Sequence, residues 1–128
     1  MLETIFKALG DENRLRIINI LFRGEFCVCE LEVLLNLSQS NLSRHLDKLK
    51  KAEIIESKKE GLWVHYKINK EYEEKNSQLM MYLKSNLKDM KICKEDNNKL
   101  YFYKKNNLTC THISNDKEQV ILTLNTEV

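Results

Sequence analysis

Proline is absent from the chain, and glycine occurs only three times in 128 residues. Since these two residues are the strongest local breakers of regular structure, each glycine is informative about where a segment ends. Gly10, Gly24 and Gly61 all lie at the end of a periodic segment. There is no internal repeat, no glycine-rich phosphate loop, no cofactor motif and no histidine–carboxylate pair beside the cysteines. These absences argue against a repeat array and against an enzyme.

Long hydrophobic runs are also lacking. No window approaches ~18 consecutive apolar residues, and the start of the chain does not combine a basic flank, a long apolar run and a small-residue cleavage site. We therefore expect neither export nor membrane spanning, but a cytoplasmic protein. Thiols are kept reduced there, so the four cysteines are better explained as buried residues, metal ligands or redox sensors than as a disulfide framework.

The positive charge is small in total, +2, but it is unevenly placed. Residues 89–128 hold six basic and six acidic side chains, so the whole excess lies in residues 1–88. The segment 48–59 carries five lysines against two glutamates. Such a segment could meet DNA phosphates, although lysine runs are also common on ordinary solvated surfaces.

The first part of the chain has the pattern of four short helices. Apolar residues at helical spacing predict a first helix ending at Gly10 and a second one capped by Asp11 and ending at Gly24. A third helix is expected around Leu31, and a fourth is capped by Ser38. The sequence therefore predicts a compact helical cluster before residue 52.

After the fourth helix the apolar period changes from about 3.6 to 2, which predicts a β-hairpin. Residues 54–55 open its first strand, residues 60–61 supply the turn, and Val64, Tyr66 and Ile68 alternate along its second strand. The outward-facing set on the second strand is expected to be Trp63, His65 and Lys67. The hairpin would thus expose basic and aromatic groups.

A last helix is predicted from about Glu71 to Asp89, with apolar residues at near-heptad spacing. These residues are Leu79, Met80, Leu83, Leu87 and Met90. A lone terminal helix would leave too much of this apolar surface exposed, so we expect a partner chain to cover it.

The chain is accordingly divided into a domain at residues 1–90 and a C-terminal extension at residues 91–128. In the extension, the asparagine pairs at 97–98 and 106–107 indicate turns. Residues 100–103 and 120–124 could form short strands.

Compact helices followed by a β-hairpin are the layout of a winged helix-turn-helix domain, mainly α with a small β-hairpin. With Leu42, Leu46 and Leu49 facing inward, ~100 degrees per residue places polar and basic groups on the outer face of the fourth helix. Short hydroxyls would allow close approach in a major groove, and Arg44 has the bidentate geometry that matches guanine. The expected DNA contacts are Ser38, Gln39, Ser40, Ser43, Arg44, His45, Lys48 and Lys51 on the helix, and Lys58, Lys59 and His65 in the hairpin.

Two of these contacts have an open alternative, because His45 and His65 could equally make only local hydrogen bonds. The fourth helix by itself could also be an ordinary solvated surface. A basic hairpin directly after it, however, gives two contact surfaces on one side of the domain, which favours DNA binding.

Five segments carry a family resemblance: IFKALG at 5–10, DENRLRII at 11–18, FCVCEL at 26–31, SQSNLSRHL at 38–46 and GLWVHY at 61–66. In this order and spacing they resemble the ArsR/SmtB family of metal-sensing repressors, over roughly residues 1–88. The resemblance implies a DNA-binding repressor that forms a homodimer through its first and last helices, in agreement with the apolar seam on the last one.

Cys27 and Cys29 lie at the start of the predicted third helix, where a regular helix would point them about 200 degrees apart. Unwinding of the first turn would let both thiolates converge on one soft ion. The distortion would then pass to the predicted fourth helix, which is expected to contact the DNA bases. A helix N-terminus also favours the thiolate and lowers a cysteine pKa. By spacing alone, two buried apolar cysteines are equally consistent with the pattern.

The resemblance implies more, because segment 27–31 is similar to the box through which arsenic- and cadmium-sensing members bind their inducers. Many arsenic-responsive members carry a third cysteine where this chain has Glu32, and cadmium sensors add cysteines near the N-terminus, where it has none. A third thiolate for trivalent arsenic would come from Cys93 or, preferably, Cys110, of the same chain or the other subunit. His112 beside Cys110 could add a nitrogen for a divalent ion. Two thiolates with a small ligand are an alternative.

The sequence as a whole predicts a dimeric repressor that needs no cofactor to bind operator DNA and releases it when a thiophilic ion occupies Cys27 and Cys29. Arsenite is the leading inducer, with cadmium, lead or zinc as alternatives. A sensor whose cysteines oxidise is a rival within the same class. A thiol-dependent enzyme or metal carrier lacks supporting motifs, and a dimerisation module without DNA would leave Arg44 and the basic hairpin unexplained.

Overall fold

The computed structural model describes residues 1–127, with side chains described as far as Thr126. This part of the chain forms helices around a small antiparallel sheet. The helices are α1 (Leu2–Leu9), α2 (Glu12–Leu21), α3 (Val28–Leu35), α4 (Gln39–Lys51), α5 (Lys70–Lys75), α6 (Ser77–Leu87), α7 (Lys91–Lys105), α8 (Cys110–Asn115) and α9 (Lys117–Glu127). The strands are β1 (Phe26–Cys27), β2 (Ile55–Glu60) and β3 (Trp63–Ile68). The predicted class, mainly helical with a small β element, is confirmed.

The end of α1 and the starts of α2 and α4 lie where their local signals place them, whereas α2 ends at Leu21, before the predicted stop at Gly24. The Asp11 carboxylate caps α2 by accepting hydrogen bonds from the backbone N–H groups of Asn13, at 2.9 Å, and Arg14, at 3.2 Å. The Ser38 hydroxyl caps α4 by accepting from the N–H of Asn41 at 3.2 Å. Helix α1 ends at Gly10, as predicted. Local capping therefore fixes the start of α4, the helix that is expected to contact the DNA bases.

The sheet contains one strand more than the predicted hairpin. Its order is β1-β3-β2, with β3 paired antiparallel to both neighbours. Gly61 lies in the β2–β3 turn with a φ of 61 degrees, a left-handed conformation that favours glycine. The expected inward set is only partly correct, because Val64 is 39% exposed whereas Ile68 is buried. The hairpin projects beyond the core, so the alternation ends before its tip.

The predicted last helix of the domain is wrong as one continuous element. It is divided into α5 and α6 at Asn76, whose backbone has φ −125 and ψ 41 degrees. The Asn76 side-chain amide donates to the carbonyl of Tyr72 at 3.0 Å, a local bond that competes with helix continuation. Met80, Leu83 and Leu87 are buried, and α6 packs against α2 of the same chain.

The predicted strands of the extension are also wrong, because residues 91–127 form three helices. Their buried residues recur at helical spacing: Leu100 with Tyr103 in α7, and Val120 with Leu124 in α9. The asparagine pair at 97–98 lies inside α7 instead of in a turn. The pair at 106–107 does end a helix, and Asn107 has a φ of 53 degrees. Short apolar runs are ambiguous between strand and helix, and packing decides the outcome.

The extension shares one hydrophobic core with residues 1–90. Buried polar bonds reinforce this packing: Arg16 of α2 donates to Asp96 of α7 through Nε at 2.8 Å and through Nη2 at 2.9 Å. The Asn19 amide donates to Asn97 Oδ1 at 2.7 Å. Helices α7, α8 and α9 also contact α3, so the extension packs behind the two cysteines at the start of that helix.

Within residues 1–127, no helix combines the length and the apolar character that crossing a membrane requires.

Candidate thiol site and nucleic-acid interface

Cys27 and Cys29 are brought together without any unwinding of α3. Cys27 is the N-cap residue of α3 and has extended backbone angles, φ −86 and ψ 167 degrees, because it also belongs to β1. Cys29 lies in the first turn of the helix, and its Sγ is 2.9 Å from that of Cys27. The expectation of divergent side chains is therefore wrong, since it treated Cys27 as a helical residue.

A third sulfur comes from the extension of the same chain. The Sγ atoms of Cys27, Cys29 and Cys110 all lie within 4.8 Å of one another. Cys27 and Cys110, 83 positions apart, are bonded to each other through sulfur in this structure. Their Cα atoms are 7.2 Å apart, beyond the roughly 4.4–6.8 Å usual for disulfides, so the backbones have not approached as they do around a typical disulfide. We call these three residues the thiol cluster.

The other candidate ligands lie outside the thiol cluster. Cys93 is fully buried in α7 near Asp96, and desolvation raises its pKa to about 11. His112 Nδ1 accepts the backbone N–H of Thr109 at 3.1 Å, so this nitrogen caps α8. Neither residue belongs to the group of nearby ligand atoms found among the described residues.

Burial, and not the helix N-terminus, controls the acidity of Cys29. Desolvation raises the pKa of this half-buried thiol, and the negative charges of Glu30 and Glu32 raise it further. The expected lowering of the pKa is therefore wrong in direction at Cys29. The cluster presents a protonated thiol at neutral pH, and an incoming ion must displace that proton.

Glu30 connects the thiol cluster to the extension. Its Oε1 accepts the backbone N–H of Cys27 at 3.0 Å, and its Oε2 accepts the hydroxyl of Tyr103 at 2.5 Å. Both side chains are buried, and the pKa of Tyr103 is raised by desolvation and by this bond. Sequence reasoning missed both residues. The spacing of Glu30 three positions after an N-cap was a usable signal, whereas nothing local indicated Tyr103.

The outer face of α4 is free to approach a nucleic acid. The exposed members of the predicted contact set are Ser38, Gln39, Ser40, Ser43, Arg44, Lys48 and Lys51. Arg44 Nη2 donates to Asn41 Oδ1 at 2.7 Å, which orients the guanidinium on this face. Lys51 is paired with Asp47 at 3.0 Å, so part of its charge is already balanced.

His45 is not part of this exposed face, and its expected DNA contact needs correction. It is only 4% exposed, since its position three residues after Leu42 turns it toward the core. Its Nδ1 lies 3.1 Å from Nη1 of Arg14, a permanent donor, so Nδ1 is the acceptor of this bond. Desolvation lowers the pKa of His45 and favours the neutral ring. Of the two open alternatives, the local hydrogen bond is the one observed.

The hairpin carries its basic residues on both faces. Lys58 is paired in register with His65, and Lys59 with Val64, so the two exposed lysines point to opposite sides. His65 is half-buried. It also faces Cys27 across the β1–β3 ladder, which places a residue of the thiol cluster next to the hairpin.

Several large apolar side chains are exposed at the two helices that were expected to dimerise. In α1, Leu2 is 67% and Phe6 55% exposed; in α6, Met81 is 66% and Tyr82 65% exposed. The buried apolar residues of α6 are thus covered within the chain by α2. The exposed residues on α1 and α6 are a different set, and they remain available to a partner.

Comparison with known proteins places the chain among regulators. Residues 11–57 match the family model described as bacterial regulatory protein, arsR family. An arsenic resistance transcriptional regulator of Pseudomonas putida is 44% identical over 68 residues, which is 52% of this chain and 53% of that protein. The cadmium resistance transcriptional regulatory protein CadC of Listeria innocua is 42% identical over 62 residues, 48% of this chain and 52% of CadC. The matches thus span about half the length of these relatives.

A solved structure of reduced HlyU from Vibrio cholerae is 33% identical and superposes with a TM-score of 0.55, covering 64% of this chain and 86% of HlyU. The winged-helix class is confirmed, as is the expectation of a regulator instead of an enzyme. The fold, the order of the motifs and these matches agree: the chain belongs to the arsR family of bacterial regulatory proteins.

Proposed function

We propose that the chain is a cytoplasmic, homodimeric repressor that holds operator DNA through α4 and the hairpin and releases it when trivalent arsenic is bound by three thiolates. The observation that carries this proposal is the thiol cluster: Cys27, Cys29 and Cys110 of one chain lie within 4.8 Å of one another. Exposed apolar residues on α1 and α6 support the dimer.

The donor set suits arsenic because all three ligand atoms are sulfur, and trivalent arsenic bonds three thiolates in a pyramid. The named arsenic regulator of Pseudomonas putida supports the same inducer. Binding requires the bond between Cys27 and Cys110 to be reduced, which takes two electrons and two protons from cellular thiols. In a reducing cytoplasm all three sulfurs then become available.

Two physical connections link the thiol cluster to α4 and the hairpin, which carry the proposed DNA contacts. Cys27 pairs with His65 of β3, and β3 in turn pairs with the strand that carries Lys58 and Lys59. In addition, α3 packs directly on α4. An ion held by all three sulfurs must separate the two that are bonded here, and the resulting shift of Cys27 would move β1 and, with it, the hairpin. Release needs the ion to favour the DNA-free conformation by ~1–3 kcal/mol or more.

A cadmium, lead or zinc sensor is a second candidate, supported by the similarity to CadC. A redox-sensing repressor is a third, supported by the bond between Cys27 and Cys110. Peroxide oxidises two thiols to a disulfide and is itself reduced to water, so DNA release by mild peroxide, with Cys27 and Cys110 joined in the peptide map, would favour this third candidate.

The test is fluorescence anisotropy of reduced protein on DNA from its own upstream region, titrated with arsenite, cadmium and zinc. Cys27→Ser and Cys29→Ser are expected to bind DNA like the wild type and to lose release by arsenite. Cys93→Ala, a change at the cysteine outside the thiol cluster, is the matched control and should keep release. Loss of DNA binding in both serine variants would contradict the proposal.

A further inference from the structure

Glu30 places a buried negative charge against the thiol cluster. It directly follows Cys29, is 8% exposed, and accepts the backbone N–H of Cys27 at 3.0 Å. No ion pair found among the described residues gives it a cationic partner. Its other oxygen accepts the Tyr103 hydroxyl, and Glu30 does not belong to the group of nearby ligand atoms formed by the three cysteines. The carboxylate therefore acts on the cluster through its charge.

The charge of the bound complex differs between the candidate inducers. Arsenous acid reacts as As(OH)3 + 3 RSH → As(SR)3 + 3 H2O. Three S–H and three As–O bonds break, three As–S bonds and three O–H bonds of water form, and the product is neutral. Cadmium reacts as Cd2+ + 3 RSH → [Cd(SR)3]− + 3 H+, and the product carries one negative charge. A fixed anion next to the cluster repels the second product and leaves the first nearly unaffected.

We propose that Glu30 is the specificity-determining residue of the thiol cluster, selecting neutral tristhiolate complexes of trivalent metalloids over the anionic complexes of divalent cations. Tyr103 is a positioning residue, because its hydroxyl holds the carboxylate in the buried site. This inference rests on the proposed function for the ligands, and it adds the physical basis of their discrimination.

The deciding experiment measures dissociation constants of arsenite and of Cd2+ for the reduced full chain at one pH, by competition with a chromophoric chelator or dithiol. Glu30→Gln keeps an oxygen to accept the N–H of Cys27 and removes the charge. Cd2+ binding is expected to tighten by about tenfold or more, the effect typical of removing a nearby like charge. Arsenite binding is expected to change less than about threefold. An unchanged ratio of the arsenite dissociation constant to the Cd2+ dissociation constant, or weaker Cd2+ binding, would overturn the inference.

Two further variants separate charge from structure. Glu32→Gln removes a neighbouring carboxylate that is already paired with Lys117 at 3.6 Å, so it should shift the ratio much less. Tyr103→Phe removes the positioning bond and keeps the charge of Glu30, so it should shift the ratio in the same direction as Glu30→Gln but less far. If Tyr103→Phe shifted the ratio as far as Glu30→Gln, the charge account would be wrong.

The same measurements distinguish this inference from the proposed function. If both ions bind the wild type and Glu30→Gln leaves their ratio unchanged, only the inference fails. If neither ion binds, both fail. If arsenite binds with the expected ratios and DNA is not released, the repressor mechanism fails and the selectivity of the cluster stands.

Discussion

Replacing Asp96 by asparagine tests whether the extension is integral to the fold. Arg16 donates to both carboxylate oxygens of Asp96, which is 2% exposed, and donates also to Asn13 Oδ1 at 3.0 Å and to the carbonyl of Leu35 at 2.7 Å. Asp96→Asn leaves the guanidinium buried without a counter-charge and turns one acceptor into a donor. Breaking one side of a buried ion pair costs about 3–5 kcal/mol, and the surviving bonds favour the lower end, about 3 kcal/mol.

Urea unfolding followed by circular dichroism measures this loss. With a slope of about 2 kcal/mol per molar urea, the midpoint should fall by roughly 1.5 M. Glu95→Gln changes an exposed neighbour on the same helix and should stay within about 0.5 kcal/mol of the wild type. A loss below about 1 kcal/mol in Asp96→Asn would refute the packing of α7 against α2.

Three other predictions concern single side chains. The folded pKa of His45 lies below its usual 6.5, so the unfolded chain takes up a proton first as the pH falls; stability should decrease below about pH 6.5, and less steeply in His45→Gln, as pH-dependent urea midpoints would show. In reduced native protein, buried Cys93 should resist iodoacetamide far longer than half-buried Cys29, and equal rates by mass spectrometry would contradict its burial. Arg44→Ala should weaken operator binding by about 1–3 kcal/mol in anisotropy, and unchanged binding would remove Arg44 from the interface.

Features fixed by local interactions were predictable from the sequence. The caps at Asp11 and Ser38 and the stop at Gly10 depend on hydrogen bonds over two or three residues, so the end of α1 and the starts of α2 and α4 were placed correctly. The inner face of α4 follows from helical geometry alone. His45 lies on that same inner face, three residues after Leu42, but only the fold reveals that Arg14 of α2 meets it there.

Features fixed by distant contacts were not predictable. β1 has only two residues and exists because it pairs with β3, about 40 positions later. That pairing holds Cys27 outside the helix, which sequence spacing could not show. The short apolar runs of the extension fit a strand as well as a helix until their packing against α2 and α3 is known. The contact between Glu30 and Tyr103 spans 73 positions and leaves no local signal.

The most direct test of the account is arsenite-driven DNA release by reduced Cys110→Ser, compared with the wild type and with Cys93→Ala. The cluster within one chain predicts one arsenic bound per protomer and release at near-stoichiometric arsenite in the wild type and in Cys93→Ala. Cys110→Ser should bind DNA equally well and need much more arsenite for release. Wild-type release by arsenite in Cys110→Ser would contradict the three-thiolate site.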